Sequence, residues 1–435
     1  MKINWFSPLP PGKTDIAEYT IRLLPTLVKN CQLELWTNQR IYDREISRYV
    51  KVNSYQIGNI PWAKINQADI NIYHIGNNPD FHKEIWQISC QCPGLVVLHD
   101  LKLQHFFGGI YREANNDKLG YLEQMRYYYG IEGETAAEMF WNGEISTEFM
   151  AEHYPLTPLA LKNAIGVISH SKQIYKKLKQ ENLWLTSYIP LPYPSQGQLL
   201  NQEPKNNRNN RKFYQLTVFG YIGSNRCLDI VLESLATFPQ KQSFRLDIYG
   251  EVWDVNYIRQ RINQLGLDSL VTLHGFVPEI ELETALADSD LAINLRYPTM
   301  GEASGSQLRI WSHALPSLVT KVGWYAELPE DTVAYVRVDH EIEDLHQHLQ
   351  AFLSNPEMYK AMGKNGQSWL EKNHHPEFYV NSILHFAQEV CQGRYRCTAN
   401  YFIERVGREI SYWSDDNLSD LELKGLANAI YFLTT

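Results

Sequence analysis

A chain of 435 residues is longer than one ordinary hydrophobic core organises, which implies two domains of about 150 to 200 residues each. The 44% apolar share against 20% charge belongs to a globular protein, and no charge-free run is long enough to span a bilayer. A formal net charge of −9 excludes a general nucleic-acid binder, since phosphate backbones reward a basic surface.

The start, MKINWFSPLPPGK, lacks the apolar core and small-residue cleavage site of a secretory signal, so a cytoplasmic protein is expected. Strands are expected at Ile3–Phe6, Leu33–Thr37, Ile70–Ile75, Leu95–His99 and Ile165–Ser169, where short runs are rich in Ile, Val, Leu and aromatics. Amphipathic helices alternate with them. The one after the first strand has Asp15 in the place of an N-cap, and Pro25 is expected to kink or break it. The aromatic-rich run Gly120–Trp141 reads as helical core or as a platform for an acceptor. Ser171 is the expected N-cap of SKQIYKKLK, a short helix carrying Lys172, Lys176, Lys177 and Lys179. Such a helix is either a solvated face packed on the sheet or a weak contact with an anionic membrane surface.

The stretch Pro194–Lys212 is Asn-rich and too polar to bury a core, so it separates two domains. Alternation resumes with expected strands at Leu216–Ile222, Arg245–Tyr249, Val271–Phe276, Leu291–Leu295 and Leu318–Val322. From about Glu377 the pattern is helical, and Ser419 and Glu422 have capping-box spacing. Strand–helix alternation in both halves implies two doubly wound parallel α/β domains, with boundaries at 1–193, 213–376 and a helical end at 377–435. The six cysteines, Cys31, Cys90, Cys92, Cys227, Cys391 and Cys397, show no metal-knuckle spacing and read as free thiols.

Ligands of such sheets bind beyond the carboxyl ends of the strands, which selects five segments. In SPLPPGKTD, Gly12 precedes a helix start and either admits a phosphate or belongs to an ordinary turn. In GYIGSNRCLD, Arg226 stands at a helix start, where a cation opposes the helix dipole unless an anionic ligand reverses the sign. In PTMGEASGSQLR, Ser304, Gly305 and Ser306 offer amides and hydroxyls to a diphosphate, and Glu302 can accept from sugar hydroxyls or simply complement the helix. His99 and Asp100 end a strand, and His170 and Ser171 follow another.

The run PTMGEASGSQLRIWSHALPSLVTKVGWYAELPED, with GYIGSNRCLD, HGFV and PPGKTDIAEY, resembles family 4 retaining glycosyltransferases of the GT-B fold over roughly residues 1–391. The resemblance implies two Rossmann-like domains facing across a cleft, with the final helix returning to the amino-terminal domain. It implies a UDP- or GDP-sugar donor, no metal and no further cofactor. Glu302 would hold the donor sugar, His99 would lie beside the reacting sugar, Arg226 would take the phosphate-binding lysine position, and Gly12 would line the phosphates. The sequence departs from the family at Arg309, where a ribose-binding glutamate is usual, and at Tyr221, where an arginine is usual. Arg309 is therefore expected to share in neutralising the diphosphate, a charge suited to a leaving phosphate. The DSD at Asp288–Asp290 reads as structural.

The expected activity is sugar transfer, with retention, to a glycan, lipid-linked or protein hydroxyl in polysaccharide, glycolipid or glycoconjugate synthesis. A non-catalytic protein that binds a sugar nucleotide or scaffolds a partner transferase is the alternative.

Overall fold

Runs such as INIYHI, GLVVL and AIGVIS are apolar on both faces, as strands covered on both sides by helices must be, and they form the centre of a parallel sheet. The computed structural model describes residues 1–194, 212–393 and Val406. The expected linker, but for Pro194 and Lys212, and the capping box at Ser419 and Glu422 lie outside the described residues. The chain forms two compact units, one of Met1–Pro190, Met300–Glu302 and Glu377 onward, the other of Leu191–Thr299 and Ala303–Pro376.

Unit 1 holds β1 (Lys2–Phe6), β2 (Gln32–Thr37), β3 (Lys51–Ser54), β4 (Ile70–Ile75), β5 (Gly94–Leu98), β6 (Ala164–Ser169) and β7 (Leu185–Tyr188). They run parallel in the order β3-β2-β1-β4-β5-β6-β7, which reverses direction of growth between β1 and β4. The first helix spans Asp15–Asn30 and is capped by Thr14, whose hydroxyl accepts from Ile16 N, so the cap lies one residue before the expected Asp15. It continues through Pro25, because its buried residues Tyr19, Leu23, Leu24 and Leu27 hold it on the sheet on both sides of the proline. The run Gly120–Trp141 lies in the helix Lys118–Trp141, broken at Gly130 and burying Tyr121, Met125, Ala137 and Phe140 in the core. The helix Pro376–Gln392 packs on β6, where a Cβ on Gly166 would come within 2.6 Å of Val390.

Unit 2 repeats the plan with β8 (Tyr214–Phe219), β9 (Phe244–Tyr249), β10 (Val271–Gly275), β11 (Leu291–Asn294), β12 (Ser317–Thr320) and β13 (Ala334–Val336). Their order is β10-β9-β8-β11-β12-β13, again all parallel, and the reversal falls between β8 and β11. The DSD segment is structural here: Asp290 Oδ2 accepts from Gln215 N at 2.8 Å, and the Ser289 hydroxyl bonds that of Thr217.

Candidate functional site

In unit 2 the strand reversal opens at the carboxyl ends of β8 and β11, the place where doubly wound sheets take ligands. The chain leaves β8 through Gly220 and β9 through Gly250, both with positive φ, 109° and 115°. A Cβ on Gly250 would lie 2.0 Å from the Gly220 carbonyl oxygen, so only glycine lets these two turns lie side by side.

Arg226 follows in a short 3-10 turn, Ser224–Arg226, ahead of the helix Leu228–Thr237. Its side chain is not a solvated surface group. It is 5% exposed and reaches back across the switch point, Nη2 to the Phe219 carbonyl and Nη1 to Asn294 Oδ1, both at 2.8 Å. These two acceptors are the last residues of β8 and β11. Nη2 also lies 3.4 Å from the Ser306 hydroxyl, at the start of the helix Gly305–Ser312. Ser304 caps that helix, its Oγ accepting from Gln307 N at 3.1 Å. The fold thus gathers Arg226, Ser304, Gly305 and Ser306 at one sheet edge.

Arg309 goes elsewhere. Its Nε donates to Glu283 Oε1 at 2.8 Å and its Nη2 to Glu279, while His313 Nε2 bonds Glu283 Oε2 at 2.8 Å. Burial alone would push the Glu283 carboxyl up, but the His313 hydrogen bond and the Arg309 charge outweigh it and hold the group at about 2. The charge of Arg309 is shared with two glutamates from the helix Glu279–Asp288, partners its own sequence segment does not announce. Tyr221 is 72% exposed.

In unit 1, Gly12 has a local explanation. Its N donates to the Leu9 carbonyl at 3.0 Å, Gln39 closes the same turn through Leu9 N and O, and a Cβ on Gly12 would stand 3.0 Å from that carbonyl and 3.3 Å from Phe81. Glu302 and His99 fall in the same unit. Met300 O accepts from Leu101 N at 2.8 Å and Lys102 N at 3.0 Å, joining the Glu302 loop to the residues just after His99 and Asp100. Glu302 Oε2 accepts from Met300 N at 2.8 Å, which orients the carboxylate within its own turn. His99 N continues the ladder by donating to Ile75 O at 2.9 Å. Its imidazole sits among aromatic rings, and burial, followed by the neighbouring His74, His170 and His82, lowers its pKa well below the usual value.

Sequence reasoning missed the groups that hold these residues. Asn294 and Gln307 link Arg226 to the helix start, Asn294 Nδ2 donating to Gln307 Oε1 at 3.0 Å. The spacing of Ser304 and Gln307 was readable as a capping box, yet the Gln307 amide also turns inward, to Ser317 Oγ at 2.8 Å. His74, near the carboxyl end of an apolar strand, and Tyr19 and Tyr379, joined through their hydroxyls, carried no local signal.

Residues 201–369 match the family model described as Glycosyl transferases group 1. The chain has the GT-B fold. It is similar in fold to HepE from Anabaena in complex with UDP and glucose, with a TM-score of 0.63 at 16% identity, covering 89% of this chain and 100% of that one. Sucrose-phosphate synthase from Thermosynechococcus elongatus gives 0.57 at 16% identity over 90% of this chain and 99% of that one. WaaG, a glycosyltransferase involved in lipopolysaccharide biosynthesis, gives 0.54 at 15% identity over 88% and 99%. No curated protein matches the sequence. The switch-point cluster of the GT-B chain, Arg226 with Ser304, Gly305 and Ser306, falls inside the matched segment, as do Glu302 and Arg309.

Proposed function

We propose that the chain is a retaining glycosyltransferase that moves a sugar from a UDP- or GDP-sugar to a hydroxyl of a glycan, lipid-linked or protein acceptor. One observation carries the reading: a buried guanidinium spans the ends of β8 and β11 beside a helix start, within the group 1 glycosyl transferase segment. A fixed positive charge beside helix amides suits a diphosphate that gains charge as it leaves. In this reading Arg226, Ser304, Gly305 and Ser306 meet the diphosphate, Glu302 accepts from donor-sugar hydroxyls, His99 attends the reacting sugar and Gly12 shapes the phosphate side of unit 1. Arg309, shared between Glu283 and Glu279, acts by holding that pair in place. The acceptor hydroxyl oxygen bonds to the anomeric carbon as the carbon–phosphate oxygen bond breaks. Its proton passes to the departing phosphate, a front-face course proposed by analogy. Neither a divalent metal nor a further cofactor takes part, and the reaction serves polysaccharide, glycolipid or glycoconjugate synthesis in the cytoplasm. That HepE was solved with UDP and glucose supports the donor class.

The glutamate pairing of Arg309 and the exposed Tyr221 favour a second reading, a non-catalytic sugar-nucleotide-binding protein. Incubation with a panel of UDP- and GDP-sugars in EDTA decides. Release of nucleoside diphosphate from one donor is expected. A donor at 100 times its dissociation constant should stabilise the fold by about 2.7 kcal/mol. Stabilisation without release from any donor would favour the second reading, and release that returns only with manganese would overturn the metal-free mechanism.

A further inference from the structure

The carboxyl ends of β4, β5 and β6 in unit 1 each carry an imidazole, on His74, His99 and His170. The His99 ring centroid lies 5.3 Å from both of the others. His74 Nδ1 and His99 Nε2 are 3.0 Å apart, a direct ring-to-ring hydrogen bond. His74 is fully buried, packed 4.4 Å from the Trp5 ring and 5.4 Å from Tyr19, with its carbonyl accepting from His82 Nδ1 at 2.9 Å. Its other nitrogen, Nε2, is buried and meets no hydrogen-bond partner among the described residues.

Burial, before any neighbour, keeps both rings neutral at ordinary pH, so one hydrogen lies between them. Two arrangements meet that count. If His99 donated from Nε2, the hydrogen of His74 would sit on its own Nε2 as a buried N–H with no acceptor. If His74 donates from Nδ1, its Nε2 is a bare lone pair and His99 carries its hydrogen on Nδ1. Orphaned buried N–H groups are the rarer defect, so the second arrangement prevails.

We propose that His74 is a positioning residue that fixes His99 in its Nδ1–H tautomer, so that His99 offers a hydrogen-bond donor rather than a base. Its catalytic consequence rests on the transferase reading above: a donor can hold a sugar oxygen but cannot take the acceptor proton, which is left to the departing phosphate.

The test is a long-range proton–nitrogen correlation spectrum of the 15N-labelled full chain near neutral pH, with His99 identified by the signals lost in His99→Asn. The expected pattern has a protonated Nδ1 and a bare Nε2. His74→Asn, whose amide can donate from near the Nδ1 position, should keep it. His74→Phe, which keeps ring bulk without a donor, should shift the hydrogen towards Nε2 and lower kcat about tenfold at unchanged donor KM, with Asn recovering most of the loss. A wild-type His99 protonated on Nε2, or a pattern indifferent to His74→Phe, would overturn the proposal, and the wild-type spectrum decides even where the Phe variant fails to fold. The expected tautomer in a chain that cleaves no donor would sustain the His74 assignment and remove the transferase reading alone.

Discussion

A carboxylate that accepts from the backbone of its own loop is set in place before any ligand arrives, and Glu302 is such a group through Met300 N. Glutamine keeps an oxygen for that hydrogen bond and removes only the charge. Glu302→Gln should therefore lower transfer about a hundredfold or more while leaving nucleoside diphosphate affinity nearly unchanged. Steady-state kinetics beside calorimetric titration with UDP or GDP checks both halves, and wild-type turnover in the variant would remove Glu302 from the donor site. Glu283 tests a different role. Its carboxyl in the folded chain lies near 2 against an ordinary 4.5, so it stabilises unit 2 above about pH 4.5, and that stability is lost as pH falls from 4.5 towards 2. Its side chain is 5% exposed, so the contribution is on the order of 3 kcal/mol. Glu283→Gln leaves Arg309 with Glu279 as its one remaining carboxylate and gives the His313 hydrogen bond an uncharged acceptor. It should cost on the order of 3 kcal/mol at neutral pH and flatten the acid limb of the stability curve. Denaturant midpoints across pH 2 to 7 report this, and an acid limb as steep as in the wild type would assign the linkage to other groups.

Single elements show which kinds of sequence signal carry through to structure. The apolar central strands were legible because parallel strands buried on both faces must be apolar throughout. The edge strands β3, β7 and β13 were not expected, since KVNS, LTSY and AYV are short, and the first two lack a continuous apolar run. Arg226 could be named from the sequence, but its partners Phe219, Asn294 and Ser306 lie 7, 68 and 80 residues away, and only the fold brings them together. The lysine-bearing helix, Lys172–Glu181, illustrates the difference one face makes. Ser171 caps it as expected, while Ile174 and Leu178 are buried in the core of unit 1 and are not available to a bilayer. The four lysines remain exposed, so any membrane contact is purely electrostatic. Each lysine near an anionic surface contributes about 1 kcal/mol, screened beyond roughly 10 Å at 0.1 M salt. Binding to anionic liposomes should therefore be weak, should vanish at high salt, and should fall when the four lysines become glutamine. Co-sedimentation that persists at high salt or in the glutamine variant would move the contact elsewhere.

For the whole molecule, the doubly wound plan followed from strand–helix alternation, whereas the strand order and the groups that set its response to acid did not, because His74 and His82 look like incidental residues of a strand and a helix. Unit 1 buries both imidazoles, 0% and 1% exposed, and burial lowers their pKa values, that of His82 to about 4. Unit 2 has His374, also lowered to about 4 by burial, and the carboxylate of Glu283. A histidine whose folded value lies below the unfolded 6.5 binds its proton more readily once the chain unfolds, so stability is complete above that pH and drains away as pH falls. At about pH 5, His82 and His374, each held near 4, cost on the order of 2 kcal/mol apiece. Unit 1, with at least two such imidazoles and the lowered His99 beside them, loses more in the window from pH 6.5 to 4 than unit 2, which has His374 and whose Glu283 contribution drains only below about pH 4.5. Acid should accordingly loosen unit 1 first. Hydrogen exchange followed by peptide mass analysis at pH 5 should show protection falling in β4, β5 and β6 while β8, β9 and β11 hold, with the second set following below pH 4. Loss of protection in unit 2 first, or in both units together, would mean that these buried imidazoles do not govern the acid response, and replacing His82 with glutamine should in the expected case shift the first step to lower pH.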